Sequence, residues 1–227
     1  WRSRRRGQCV RHSDDGVSRM LRMLCLTVLA CLFSTQAMAQ KRIALTFDDV
    51  PRGRGAFFTP DERTEKLIAA LKVAKVEQVA FFVNPGRLAD PDGHGGEARI
   101  SKYVAAGHVI ANHSFSHFSL NKSSADDYLA DIDKAEHWMK DRQGYRPWFR
   151  FPYLDEGAAD KAKRDAVRTG LKQRGLRTGY VTADGSDYHL EALTVEAAKA
   201  GTVMDMEALR RLYVGSQMSA IEYHAAP

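Results

Sequence analysis

The sequence predicts an α/β fold built from parallel βα units. Short β-type runs alternate with longer helical patterns from Lys41 onward. The unusual polar clusters each follow one of those runs, as residues do on the C-terminal rim of a parallel sheet. A length of 227 residues suits one such domain with its own core.

The first expected strand covers residues 42–47. Thr59-Pro60-Asp61-Glu62 then supplies an N-cap, a proline at N1 and a glutamate at N3, opening a helix that runs to about Ala74 with Leu67, Ile68 and Leu71 on one face. The second strand, 78–83, ends at Asn84-Pro85-Gly86. A Gly-rich stretch at 92–96 leads into a helix closed by Gly107. The third strand, 108–111, delivers Asn112-His-Ser-Phe-Ser-His117 at its C-terminal end. Ser123 is read as the cap of the next helix, whose Tyr128, Leu129, Ile132, Ala135 and Trp138 or Met139 form a core-facing stripe. Residues 148–151 read as a fourth strand, 160–174 as a helix ended by Gly175, and 177–182 as a fifth strand. Residues 191–224 are helical in pattern, with a break near Gly201 and Thr202.

Charge is concentrated at one end. The net charge is +6, from 34 basic and 28 acidic residues. Residues 1–39 hold seven arginines and two acids, and taking these away leaves 27 basic and 26 acidic residues. The remainder is nearly neutral, so no nucleic-acid partner is expected. Arg22, the apolar run 23–33 and Ala37-Met38-Ala39 have the order of a secretory signal peptide, and the run is too short for a stable membrane span. The residues before Met20 or Met23 read as an upstream extension. Residues 1–39 are thus expected to be extension plus signal peptide, and 40–227 a catalytic domain that is periplasmic or secreted, with no stable membrane span in its mature form. Cys9, Cys25 and Cys31 all lie in the first part, so thiol-based mechanisms and a disulfide framework are excluded for the second.

Asp48 and Asp49 end the first apolar run, and His113 and His117 follow the third. Two histidines and a carboxylate form a zinc-type ligand set with a position open for water, and a spare carboxylate beside it can take a proton from that water. This points to a hydrolase.

The residues at these positions resemble the polysaccharide deacetylase family, carbohydrate esterase family four. Its TFDD motif is Thr46-Phe-Asp-Asp49, its H-[ST]-x-x-H motif is His113-Ser-Phe-Ser-His117, and its arginine motif is Arg150-Phe-Pro-Tyr153. A fourth, D-x-x-D-W, is Asp184-Gly-Ser-Asp187-Tyr188 with tyrosine in place of tryptophan. The resemblance covers about residues 41–190 and implies a deformed (β/α) barrel. It also implies a divalent metal, most often zinc, on Asp49, His113 and His117, with Asp48 as the base and Arg150 holding and orienting Asp48. Tyr153 would offer its backbone N–H to the oxyanion and its ring to the cleft, Asp187 would steady Arg150, and Tyr188 would be a sugar platform. For Asp184 a turn role and a site role are equally open.

The implied activity is removal of acetyl groups from peptidoglycan, chitin-like or xylan-like glycans. A small-amide hydrolase on the same fold and a carbohydrate-binding relic remain alternatives. The family also carries a late strand ending in a histidine that protonates the leaving amine. Here His224 reads as a helix residue, so the barrel is expected to be incomplete at its C-terminus and turnover to be impaired.

Overall fold

A computed structural model describes residues 42–225. The expected leader at 1–39 lies outside them.

Five parallel strands form one sheet: β1 (Thr46–Val50), β2 (Ala80–Val83), β3 (Val109–Asn112), β4 (Tyr145–Phe149) and β5 (Arg177–Thr178). Their spatial order is β1-β2-β3-β4-β5. Each strand pairs with its sequence neighbour, which is the winding of a (β/α) barrel and not of a doubly wound sheet, whose strand order reverses at a switch point. Among the described residues β1 and β5 are the two edges.

The crossovers are α1 (Pro60–Val73), α2 (Gly96–Ala105), α3 (Ala125–Met139) and α4 (Lys161–Gln173), followed by α5 (Asp187–Lys199) and α6 (Met206–Ala225). The start of α1 has the expected chemistry: Thr59 Oγ1 accepts from the Glu62 N–H, and the Glu62 side chain accepts from the Thr59 N–H at 2.9 Å. α3 corrects one reading. Its cap is Ser124, whose Oγ accepts from the Asp127 N–H at 3.0 Å, whereas the Ser123 hydroxyl donates back to the Ser119 carbonyl.

Alternation along the central strands separates two apolar layers. Phe81, Val83 and Ile110 face α1 to α3 and pack with Leu71, Tyr103 and Met139, while Ala80, Phe82, Val109 and Ala111 face the other side. A second outer cluster joins Phe149, Tyr128, Ile132, Val167 and Leu171. There α3 and α4 approach closely, because a Cβ on Gly170 would stand 2.6 Å from the Leu129 methyls. β2 and β3 are buried throughout, as expected for central parallel strands.

β1 departs most from its expected bounds. It begins at Thr46 and runs on through Asp48 and Asp49, because its partner β2 begins only at Ala80. Thr46 pairs with Ala80 and Phe47 with Phe81, but Val50 pairs with Val83, so three steps on β1 match two on β2. The extra residue makes a bulge at the two aspartates, and Asp49 adopts φ 62. β5 is two residues long and stops before the expected Thr182. α5 begins at Asp187, four residues before the expected helical pattern at Glu191.

Candidate metal centre and active site

Neighbours on a regular strand point to opposite faces. The bulge in β1 cancels that rule for Asp48 and Asp49: Asp48 Oδ2 lies 3.9 Å and Asp49 Oδ1 3.7 Å from the same atom, His113 Nε2. His113 sits one residue beyond β3, still held by the sheet ladder through its N–H to the Val83 carbonyl at 3.0 Å. Its ring is buried, and Nδ1 lies 2.9 Å from the Arg150 carbonyl oxygen. A carbonyl can only accept, so Nδ1 carries the proton and Nε2 presents its lone pair toward the aspartates. Burial holds the His113 pKa below the ordinary histidine value, against the pull of Asp48 and Asp49. The ring is therefore neutral near neutral pH, as a ligand must be.

His117 completes the group, with Nε2 2.9 Å from Asp49 Oδ1. Asp49 Oδ1 is buried and receives no well-directed hydrogen bond. Burial pushes the Asp49 carboxyl up, but His117, His113 and Arg87 together outweigh it and hold the group well below the usual carboxylate range. One oxygen and two imidazole nitrogens, all within 4.8 Å of one another, could hold a metal ion. The donors fit one: an ionised oxygen lacking a directed partner meets an imidazole lone pair, the two-histidine and one-carboxylate set of a catalytic zinc-type site. The second oxygen, Oδ2, accepts from Arg52 Nη1 at 2.7 Å.

The loop from His113 to His117 is held by side chains along its length. The Ser114 N–H donates to Asn112 Oδ1 (2.7 Å), Phe115 and Ser116 donate to Asp131 Oδ2 (3.0 and 2.9 Å), and His117 donates to Ser114 Oγ (2.9 Å). Asn84 donates to the His113 and Ser114 carbonyls. Ser114 and His117 both have left-handed backbones, with φ 65 and 57, conformations that non-glycine residues keep only when their surroundings enforce them.

Arg150 follows β4 and is buried under the site. Its Nη1 donates to Asp48 Oδ1 at 2.6 Å and to Thr46 Oγ1 at 2.7 Å, its Nε donates to the Gly179 carbonyl at 2.8 Å, and its guanidinium lies 3.9 Å from the Phe82 ring centroid. Asp48 thus has one oxygen fixed by Arg150 and the other turned toward His113.

Arg150 keeps the partner the resemblance implies in Asp48, but Asp187 is not among the groups it bonds. Asp187 accepts from the Tyr188 N–H and is pushed above the usual carboxylate value, first by burial and then by Asp184, with Arg52 opposing. Among the described residues it makes no hydrogen bond to Arg150. Tyr188 lies on the first turn of α5 and is exposed. Asp184 makes a turn, accepting from the Ser186 N–H at 2.9 Å. Tyr153, at φ 58, sets its ring across His117 with centroids 4.5 Å apart at 61°. His224 lies within α6, in accord with the reading of it as a helix residue.

Sequence reasoning missed Asn84, Arg52, Arg87 and Asp131 as parts of this site. Only Asp131 left a signal, as an acid on the buried face of α3 between Tyr128 and Ile132.

The family sequence model described as "Polysaccharide deacetylase" matches residues 35–177. A peptidoglycan-N-acetylglucosamine deacetylase of Bacillus cereus is 36% identical over 113 residues, covering 49% of this chain and 36% of that protein. A chitin deacetylase of Colletotrichum lindemuthianum is 31% identical over 113 residues, covering 49% of this chain and 42% of the relative. The chain therefore spans less than half the length of these curated relatives. In fold it is similar to a family 4 carbohydrate esterase from Streptomyces lividans solved with acetate, at a TM-score of 0.52 and 19% identity over 81% of this chain and 90% of that one. With its motifs on the strand ends where the fold gathers them and more than half of its length matched, this chain belongs to the polysaccharide deacetylase family.

Proposed function

We propose that the protein is a metal-dependent deacetylase of N- or O-acetylated glycans, exported from the cytoplasm, with zinc as the metal. The observation that carries the reading is the division of labour between two adjacent carboxylates. Asp49 turns one oxygen to His113 and His117, and Asp48 turns one to Arg150 and leaves the other facing the same space.

Asp49, His113 and His117 would hold the cation, which when bound supplies Lewis acidity, polarising the acetyl carbonyl and making a water more acidic. Asp48 Oδ2 accepts the proton of the attacking water. Arg150, tied to Thr46 and the Gly179 carbonyl, keeps Asp48 from rotating away. The Tyr153 backbone N–H serves the developing oxyanion, and its exposed ring contributes a wall for a sugar. Tyr188 is a further platform on α5. Beside the ligand group, Arg52 bridges Asp49 and Glu191.

A polymer substrate is favoured over a small amide by the open walls around Tyr153 and Phe118, which are 69% and 44% exposed. The stretch at 92–96, whose closure would favour a small amide, is tied to α2 by Arg99, which donates to the Asp92 and His94 carbonyls. The test is acetate release from N-acetylglucosamine oligomers by the full chain, before and after chelation and after zinc is restored. Release that stops with chelator and returns with zinc supports the reading, and release indifferent to both contradicts it.

A further inference from the structure

A pocket of about 440 Å³ opens beside the metal ligands, lined by His117, Phe118, Ser119, Lys122, Ser123 and Tyr153. Its size is within the range of small-ligand clefts. Two aromatic rings, those of Tyr153 and Phe118, stand exposed in its wall, suited to the apolar face of a sugar ring. Its polar groups are unequally committed. Ser119 Oγ donates to Asp155 Oδ2 at 2.6 Å, and Ser123 Oγ donates to the Ser119 carbonyl at 3.0 Å. Asp155, the carboxylate beside the pocket, also accepts from the Asn121 N–H at 2.8 Å and the Gly157 N–H at 2.8 Å. Lys122 is uncommitted: its ammonium has no ion pair and no hydrogen bond among the described residues, and the Tyr153 hydroxyl likewise has no hydrogen bond among them.

We infer that this pocket is a subsite for a carboxylate-bearing sugar of an N-acetylated glycan, with Lys122 as the residue that recognises the carboxylate. The inference rests on the deacetylase reading and narrows it, because the relatives include enzymes named for peptidoglycan and for chitin, and only the first polymer carries such acids. Tyr153 packs on His117 and lines the same pocket as Lys122, so a sugar adjoining an acetamide at Asp49 and His117 would lie within reach of both. The ammonium is a compact point charge on a flexible stem, so it can follow a carboxylate on a lactyl ether or on a hexuronate.

The test compares binding of three oligomers to the full zinc-loaded chain by calorimetry: N-acetylglucosamine alternating with N-acetylmuramic acid, its carboxyl methyl ester, and N-acetylglucosamine alternating with glucuronic acid. An exposed ion pair of this kind supports an acid-to-ester preference of about three- to fivefold at low salt, fading as salt is raised. Lys122→Gln is expected to bring that ratio to about one, and Lys122→Arg to retain it. Equal binding of acid and ester, or a ratio unmoved by Lys122→Gln, overturns the proposal. Stronger binding of the lactyl than of the glucuronic oligomer assigns the carboxylate to the lactyl ether, and the reverse order assigns it to a hexuronate. Acetate release measured in parallel separates the two claims. A Lys122-dependent ratio without release keeps the subsite and removes the deacetylase reading, whereas release with a ratio of one does the opposite.

Discussion

Asp48 and Asp49 are neighbours on β1, yet both aim a carboxylate oxygen at His113 Nε2, from 3.9 and 3.7 Å. The bulge between Phe47 and Val50 makes this possible. It also gives the two groups different second partners, Arg150 for one and Arg52 for the other. A pair of identical side chains thereby acquires two different sets of partners.

Arg150 is expected to resist conservative replacement. Its three acceptors lie in different directions, on Asp48, Thr46 and Gly179, and a lysine ammonium cannot reach them as a fork. Arg150→Lys should lower kcat by about ten- to a hundredfold with zinc affinity little changed. Arg150→Met, which strands Asp48 beside a buried apolar group, should also cost about 3 kcal/mol in stability. Steady-state kinetics and urea denaturation of the two variants check this.

Asp131 should govern metal affinity without touching the metal. Its Oδ2 accepts the Phe115 and Ser116 N–H groups midway between the two histidines. Asp131→Ala leaves both donors without their acceptor, and a weakening of zinc binding by about 10- to 100-fold is expected. Asp131→Asn keeps an acceptor oxygen and should recover most of the loss. A zinc titration of the folded variants, with circular dichroism to confirm folding, measures it.

Asp155 gives the fold an acid-sensitive contact. Burial pushes its carboxyl up, but the Ser119 hydroxyl and the Asn121 and Gly157 N–H groups outweigh that and hold it below its ordinary value of 3.8. A group whose folded pKa is depressed contributes stability that is present above the unfolded pKa and lost as pH falls through the folded one. The urea midpoint of the native chain should therefore fall below about pH 4. Asp155→Asn should lower the midpoint at neutral pH and flatten that acid limb, as parallel urea series across the acid range would show.

Much of this was legible from residue order because it depends on local chemistry. Thr59-Pro60-Asp61-Glu62 carries all the atoms of its capping box within four residues, and the stripe from Tyr128 to Met139 repeats at the helical period. The bounds of β1 were not legible, because the strand passes through Asp48 and Asp49 only where Ala80 to Val83 lie alongside. The cap of α3 moved by one residue because Ser123 and Ser124 are equivalent as text and differ only in where each hydroxyl points. The candidate metal-ligand group was readable as three residue types on strand ends. Its support was not, since Asn84, Asp131 and Arg52 reach it from separate elements, and no short motif encodes such convergence. Asp187 shows the converse: its motif is nearly complete, yet among the described residues it makes no hydrogen bond to Arg150 and accepts instead from the Tyr188 N–H.

The division of roles between the paired aspartates is tested most directly by zinc calorimetry on the full chain and on Asp48→Asn and Asp49→Asn, with acetate release followed on the same samples. The account expects Asp49→Asn to lose zinc binding. It expects Asp48→Asn to bind zinc within a few fold of the native chain while losing at least about a hundredfold in turnover. Native-like zinc affinity in Asp49→Asn, or undiminished turnover in Asp48→Asn, would contradict it.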